Sequence, residues 1–255
     1  PSDLIVSGRL GEVEYLFLPR HGRDHRFPPH RINYRANIMA LKMLGAEQVI
    51  SVSAVGSLAE EIRPGELLLV DQFIDRTQGR TRTFFDEPGV VAHVSLADPV
   101  DDALRRALAQ AAADEGIHVH PQGTYVCIEG PQFSTRAESH MYRSWGAQVI
   151  GMTNLPEAQL AREAELPYAT LALITDYDCW RSGEEAVQVE HVLQHLDKAG
   201  RYARQILQSL VRHLPDPAQS PATHALREAI LTPLVSAEAA ALERLAPLLG
   251  KYLQR

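Results

Sequence analysis

Short apolar runs alternate along this chain with longer stretches in which apolar residues recur every three or four positions. Apolar runs of about four to eight residues are typical of strands in a buried sheet, and the longer period is that of an amphipathic helix. We predict strands over residues 13–18, 48–55, 66–74, 124–128, 148–152 and 168–175. We predict helices over residues 32–44, 100–115, 136–145 and 157–164. This order predicts an α/β fold built on a central sheet of buried strands.

Turn residues mark the ends of several predicted helices. Gly45, Gly116 and Gly146 stand where a helix commonly closes in the left-handed conformation. A further long helix is predicted to open with Ser182 and Glu185, which have the spacing of a capping box, and to pack over the sheet. Residues 215–222 are rich in Pro and Ser and predict a connector, and the Ala- and Leu-rich remainder predicts one or two helices.

Composition narrows the classes of function. The 255 residues are 45% apolar, which suits a sizeable core, and the net charge of -7 comes with no basic cluster for nucleic acid or an anionic membrane. No apolar run approaches the roughly 20 residues that span a bilayer. Two cysteines are too few for a disulfide framework. We therefore expect a cytoplasmic protein that binds a small molecule.

The first candidate site segment, residues 20–25, follows a predicted strand and contains Arg20 and His21. Open α/β sheets bind ligands at the carboxyl ends of their strands. Arginine can grip a phosphate through two parallel N–H bonds, and a neighbouring imidazole can add a third donor. A solvated charged loop is the commoner explanation of such a segment, and a metal site is weaker because no third ligand is near.

Two further strand exits carry weaker signals. Ser53 and Ala54 lie in a run of small residues that would let backbone N–H groups approach an anion, although a tight turn explains that run equally well. Phe133 follows another strand, where it could stack on a purine or make a plain core contact. Thr135 and Glu138, just beyond it, have capping-box spacing.

The fourth segment places Asp176 and Asp178 directly after the most apolar predicted strand. Burial raises a carboxyl pKa, so one of the pair could stay protonated and donate to a ring nitrogen while accepting from an exocyclic amine. The alternative is that one aspartate caps the following turn.

Taken in order with residues 33–37 and 152–157, these segments resemble the 5′-methylthioadenosine phosphorylase branch of the trimeric purine nucleoside phosphorylases, over residues 18–196. The resemblance implies one domain over residues 1–255, with a mixed, barrel-like central sheet surrounded by helices, and a homotrimer. It implies phosphate-dependent cleavage of 5′-methylthioadenosine to adenine and 5-methylthioribose 1-phosphate. Inorganic phosphate would be a co-substrate, and no cofactor or metal would be required.

The resemblance also implies roles for individual residues. The positions that match phosphate-binding residues are Arg20, His21, Ser53, Ala54 and Thr153. The positions that match nucleoside-binding residues are His93, lent by a neighbouring subunit, Phe133, Ser134, Met152, Asp176, Asp178, Val189 and Val192. Catalysis would fall to Asp176, Asp178 and His21.

The chain departs from the family in three places. The family usually begins with a strand and a glycine-rich loop that contacts phosphate, and we expect this segment either to precede residue 1 or to be missing from the phosphate site. Gln132 replaces a more usual arginine, and Asn154 replaces a more usual threonine; asparagine can suit a 6-oxopurine. A 6-oxopurine nucleoside or methylthioinosine phosphorylase therefore stays open, as does a nucleoside-binding protein without turnover.

Overall fold

A curled sheet of seven strands forms the centre of the molecule. The structure, a computed structural model, describes residues 1–181 and 189–253, but not the side chains of residues 189–194. In chain order, the strands are β1 (Val6–Leu10), β2 (Val13–Phe17), β3 (Val49–Ser57), β4 (Leu67–Leu69), β5 (Gln72–Arg76), β6 (Val119–His120), β7 (Thr124–Ile128), β8 (Val149–Gly151) and β9 (Tyr168–Asp176). Strands β1 and β2 pair with each other outside the central sheet. The sheet runs in the order β5-β7-β8-β3-β9-β4-β6 and mixes parallel with antiparallel pairs.

The sheet must curl because of a short connection. Strand β5 is at one edge of the sheet and β4 is next to the other edge, yet only Val70 and Asp71 separate these strands along the chain. Two residues span only about 7 Å, so the two edges of the sheet have to approach each other. The mixed, barrel-like sheet predicted from the sequence is confirmed.

Helices cover both faces of the sheet. The helices are α1 (Tyr34–Met43), α2 (Asp102–Asp114), α3 (Arg136–Ser144), α4 (Glu157–Glu163), α5 (Val189–Leu210) and α6 (Ala239–Leu253). Strand β9 is buried except at its last residue, and its alternate side chains enter two different apolar clusters. One cluster contains residues of α2 and α5, and the other contains residues of α1, α4 and α6. Continuous burial on both faces explains why this strand reads as an unbroken apolar run.

Two of the predicted buried strands differ in the structure, one in its continuity and the other in its burial. Residues 66–74 form the separate strands β4 and β5 rather than one, because the chain changes sides of the sheet at Val70 and Asp71. Residues 13–18 contribute β2, which pairs only with β1 in a two-stranded ribbon and is largely exposed. An apolar run shows strand propensity, but it does not show which sheet the strand joins.

The helix ends follow the sequence closely. Gly45, Gly116 and Gly146 all have positive φ beyond their helices. Thr135 and Glu138 form the expected capping box at the start of α3. The connector over residues 215–222 contains short 3₁₀ turns, and the tail holds one α-helix, α6. Ser182 and Glu185 lie outside the described residues. In the part of the chain that the structure describes, no helix has the length and apolar character needed to cross a membrane.

Candidate active site

The candidate site opens at the middle of the sheet, along β3. Ala54 is exposed although β3 lies between β8 and β9, and its strand neighbours Ser53 and Val55 are buried. An exposed residue in a central strand marks a hollow that a ligand can enter. Arg20 reaches this strand beside residues 51–53, and Asp176 reaches it beside Gly56.

Arg20 is held by acceptors on every side. Its Nε and Nη2 atoms bind the two carboxylate oxygens of Glu157 at 2.9 and 3.2 Å, and Nη2 also donates to Ser51 Oγ at 2.6 Å. Its Nη1 atom makes the two longer contacts, 3.2 Å to the Val52 carbonyl and 3.3 Å to Thr153 Oγ1. The bidentate ion pair fixes the plane of the guanidinium, and both N–H groups of Nη1 are directed at Val52 and Thr153.

Three of the five predicted phosphate-binding residues are linked through Nη1 of Arg20. Thr153 Oγ1 lies 3.1 Å from Ser53 Oγ, and both residues are buried. Arg20, Ser53 and Thr153 therefore form one polar cluster, with the exposed Ala54 adjacent to it in the strand. Backbone and side-chain donors gathered around an arginine are a suitable binding site for an oxyanion.

Sequence reasoning missed Glu157 and the buried network behind the cluster. Glu157 also accepts a hydrogen bond from Tyr168 Oη at 2.9 Å, and Asn154 Nδ2 lies 2.6 Å from the same phenol and 2.8 Å from Thr170 Oγ1. The 137 positions that separate Glu157 from Arg20 leave no local signal of their pairing. A glutamate at the start of a helix is ordinarily explained by the helix dipole alone.

The structure corrects the interpretation of Asn154. Its side chain is fully buried beneath Arg20 and Thr153, within bonding distance of Ser51, Tyr168 and Thr170. Asn154 therefore supports the phosphate side of the site and does not read the base. Its presence is no argument for a 6-oxopurine substrate.

His21 has a defined tautomer. Its Nδ1 atom lies 2.8 Å from the carbonyl oxygen of Phe27, which can only accept, so Nδ1 carries the proton and Nε2 holds the lone pair of the neutral ring. Partial burial lowers the pKa of His21, and the charges of His25 and Arg20 lower it further. The ring stacks on that of His25 with centroids 3.9 Å apart.

The two aspartates lie at the other end of the hollow. Asp176 accepts hydrogen bonds from Thr175 Oγ1 and from the backbone N–H of Asp178, each at 2.7 Å. Burial raises the pKa of both carboxyl groups, and the charge of Asp176 adds to the rise for Asp178. Gly56 makes room for the pair, since a Cβ there would stand 2.9 Å from Asp176 Oδ1. The arrangement favours a protonated carboxyl at this edge.

The loop after β7 borders the aspartates and leaves unsatisfied groups. Cys179 Sγ lies 3.2 Å from the carbonyl oxygen of Ser134, whose own hydroxyl oxygen is buried with no partner among the described residues. The side chain of Phe133 is 53% exposed. Gly130 approaches Met152 so closely that a Cβ would meet its sulfur at 2.4 Å. The base side thus offers an exposed aromatic side chain and a hydroxyl that has no partner in residues 1–181 or 189–253.

One predicted residue, His93, is not brought to this cluster, and two others have side chains outside the described part of the chain. His93 is exposed, its backbone N–H bonds to Ala229, and no described hydrogen bond or ion pair links it to the other predicted residues. Val189 and Val192 begin α5, but their side chains lie outside the described part of the chain. Among the described residues, no group of three His, Cys, Asp or Glu side chains is arranged to hold a metal ion.

The chain is similar to known phosphorylases over most of its length. A model of the phosphorylase superfamily matches residues 2–212. The S-methyl-5′-thioadenosine phosphorylase of Thermosynechococcus vestitus is 52% identical, with 99% of this chain and 89% of the relative covered. That of Geobacter sulfurreducens is 50% identical, with 99% and 88% covered.

Solved structures give the same relation. A methylthioadenosine phosphorylase from an antarctic soil metagenomic library has a TM-score of 0.91 and 49% identity, over 97% of this chain and 88% of the other. The methylthioadenosine phosphorylase from Schistosoma mansoni in complex with adenine has a TM-score of 0.81 and 41% identity, over 83% and 80%. The family indicated by the sequence motifs is confirmed: this chain belongs to the phosphorylase superfamily.

Proposed function

We propose that this protein is a pentosyltransferase that uses inorganic phosphate to cleave 5′-methylthioadenosine into adenine and 5-methylthioribose 1-phosphate. One observation carries the proposal: an anion-binding cluster and a pair of protonatable carboxyl groups lie along the same strand. Ser53 and Gly56 mark their positions, and three residues of strand span roughly 10 Å. A nucleoside placed between them would have its glycosidic bond facing the phosphate and its base facing the aspartates.

In the reaction, a phosphate oxygen forms a bond to C1′ of the sugar while the bond from C1′ to N9 of the base breaks. The bonding electron pair leaves with the adenine. Asp176 would donate a proton or a strong hydrogen bond to N7 and so offset the developing negative charge, which is general acid catalysis. Burial raises the pKa of Asp176, which supports this role because a carboxyl must hold its proton in order to donate it.

On the other side, Arg20, His21, Ser53 and Thr153 would orient the phosphate, with Ala54 lining the hollow. Glu157 neutralises Arg20, so the cluster holds the phosphate by directed hydrogen bonds more than by net charge. The phosphate then keeps its own negative charge next to the sugar. That charge would stabilise the positive character that develops at C1′ as the base leaves.

Adenine is the base that this arrangement favours. Two carboxyl groups can accept from a 6-amino group, whereas an ionised carboxylate facing a 6-oxo group is repulsive. Phe133 and Ser134 would complete the base pocket, and Met152 would pack under the ribose. Val189 and Val192 would contact the 5′-methylthio group.

We also propose that the enzyme is a homotrimer of the cytoplasm in which His93 completes the site of a neighbouring subunit. His93 is exposed and lies apart from the other site residues. Large apolar side chains such as Met43, Leu44 and Trp145 are also exposed on the single chain, as expected where subunits meet. Both cysteines are free, which agrees with a reducing compartment.

The proposal is tested by incubating the protein with methylthioadenosine, adenosine or inosine, with and without phosphate, and following base release by absorbance. We expect adenine release that requires phosphate and is fastest from methylthioadenosine. Cleavage of inosine alone would overturn the choice of substrate. Tight nucleoside binding without base release would instead indicate a binding protein.

A further inference from the structure

A second buried arginine, Arg80, joins the two segments that form the site. Its side chain is 2% exposed. Atom Nη1 donates to the carbonyl oxygens of Met152 and Leu155 at 2.8 and 2.7 Å, and Nη2 donates to those of Ile128 and Glu129 at 3.3 and 2.6 Å. Four backbone carbonyls from two different strand exits therefore converge on one guanidinium.

These carbonyls belong to segments with different roles in the proposed reaction. Residues 152–155 carry Met152 and Thr153, which face the ribose and the phosphate. Residues 128–129 lead into Phe133 and Ser134, which face the base. The two segments also touch directly where Gly130 packs against the sulfur of Met152. A change in their relative position would shift the phosphate with respect to the base.

The charge of Arg80 is matched within the same group of contacts. Its Nε atom lies 3.1 Å from the carboxylate of Glu129, which also accepts the backbone N–H of Gln78 at 2.6 Å. The guanidinium carbon lies 5.5 Å from the ring centroid of Tyr34, whose hydroxyl is 3.1 Å from Nη1. Arginine suits this position because it carries five N–H donors on three nitrogens in a fixed plane, whereas the three donors of lysine all lie on one nitrogen.

We propose that Arg80 is a positioning residue, which sets the spacing between the phosphate-binding and base-binding segments and thereby the alignment of phosphate with the glycosidic bond. This inference rests on the proposed phosphorolysis. Arg80 itself contacts backbone and not the reacting atoms. Reaction rates depend steeply on alignment, because a misplacement of about 1 Å can slow a reaction about 100-fold.

The test compares three variants by steady-state adenine release and by thermal unfolding. Arg80→Lys keeps the charge but loses the fork. Glu129→Gln weakens the ion pair that holds Nε and the hydrogen bond from the Gln78 backbone, and it leaves Arg80 itself in place. Arg82→Lys is the matched control, because Arg82 lies in the same loop, is 46% exposed and donates to the Thr77 carbonyl.

We expect Arg80→Lys to lower kcat by about 10- to 100-fold, and to raise KM for both phosphate and nucleoside at a temperature where the variant is folded. Glu129→Gln should change the same constants in the same direction by a smaller factor, and Arg82→Lys should match the wild type. A purely structural role would lower the unfolding midpoint and leave kcat unchanged.

The proposal is overturned if folded Arg80→Lys has wild-type kcat and both wild-type KM values. Should Arg80→Lys not fold, Glu129→Gln decides: a reduced kcat in a stably folded variant supports the proposal, and wild-type constants contradict it. Failure of the phosphorolysis proposal looks different, because the wild-type protein itself would then release no adenine.

Discussion

The phosphate half and the base half of the site differ in how firmly their principal groups are held. On the phosphate side, Arg20 and Glu157 form a bidentate ion pair, and Asn154 Nδ2 and Tyr168 support them from behind, although Asn154 Oδ1 is buried without a partner among the described residues. On the base side, the Ser134 hydroxyl is buried without a described partner, and Phe133 is more than half exposed.

This difference indicates which half is organised before substrate binds. The ion pair with Glu157 holds the Arg20 guanidinium in place before an anion arrives, so the phosphate would need to replace only the Nη1 contacts with Val52 and Thr153. On the proposed function, the groups on the base side would acquire their partners from the ligand. We therefore expect substitutions on the phosphate side to affect both folding and activity, and substitutions on the base side to affect mainly activity.

The largest effect should come from breaking the phosphate half with Arg20→Met. Removing one partner of a buried ion pair costs about 3–5 kcal/mol of stability, because it leaves Glu157 buried and unpaired. Loss of an anion-binding donor should also lower kcat/KM by at least about 100-fold. Denaturant unfolding and adenine release measure the two effects.

The double variant Arg20→Met/Glu157→Gln is the control for this prediction. It removes the unpaired charge, so it should recover much of the stability and none of the activity. An Arg20→Met protein with wild-type stability would show that the phosphate half is not held together by this pair.

Asp176→Asn should separate activity from folding on the base side. We expect adenine release to slow by about 10²–10⁴-fold, because an amide cannot donate a proton to N7. Burial raises the pKa of Asp176, so the folded state binds its proton more tightly than the unfolded state does. The ionised carboxyl therefore destabilises the fold as pH rises through this raised pKa, and the asparagine variant should be at least as stable as the wild type at neutral pH.

Urea unfolding at pH 4, near the ordinary aspartate pKa, and at pH 8 checks the sign of that effect. Any gain in stability of the asparagine variant should be larger at pH 8. A variant that unfolds more readily than the wild type at both pH values would assign Asp176 a structural role instead.

A smaller effect is expected in the pH dependence of phosphate binding. Neutral His21 presents the lone pair of Nε2 because its Nδ1 proton is held by the Phe27 carbonyl. A phosphate dianion facing that lone pair would be repelled, because both are hydrogen-bond acceptors. Binding therefore needs one further proton, either on the His21 ring or on the phosphate. The phosphate KM should therefore rise by up to about 10-fold per pH unit once both groups are unprotonated.

The measurement is the phosphate KM between pH 6 and pH 9, with His21→Gln as the control. Glutamine donates from an amide that does not titrate, so its KM should depend less on pH. Equal pH profiles for the two proteins would exclude His21 as the source of the linkage.

The smallest effect should come from Asn154→Thr. This substitution tests whether Asn154 belongs to the phosphate half or to the base half of the site. Because Asn154 is bonded to Tyr168 and Thr170 behind the phosphate cluster, the ratio of kcat/KM for adenosine to that for inosine should not change. Stability should fall modestly, since the phenol of Tyr168 loses a donor. A shift of the ratio towards either nucleoside would place Asn154 in contact with the base after all.

Much of the fold could be predicted from the sequence because its signals are local. Strand β7 has the bounds that its apolar run indicates, and the capping box of Thr135 and Glu138 starts α3 where expected. The predictions failed where a strand's partner decides the outcome, as in the ribbon of β1 and β2 and the division of residues 66–74. Pairing depends on distant residues, which a local pattern does not contain.

The site shows the same division. Arg20 and the two aspartates stand in conspicuous segments at strand exits, so their sequence context pointed to them. Glu157 and Arg80 were missed because their partners are far away along the chain. Glu157 pairs with Arg20, and Arg80 donates to carbonyls of residues 128–129 and 152–155. A backbone carbonyl has no sequence signature, so the hydrogen bonds from Arg80 to these carbonyls are visible only in the folded molecule.

The central claim is that a preformed anion site and a protonated carboxyl act on opposite ends of one nucleoside. The most direct test is to mix the protein with 5′-methylthioadenosine and titrate inorganic phosphate while adenine formation is followed. The account predicts no adenine without phosphate. With added phosphate, the rate of adenine release should rise to saturation, and one 5-methylthioribose 1-phosphate should form for each adenine released. Adenine release that is independent of phosphate and yields free methylthioribose would contradict it.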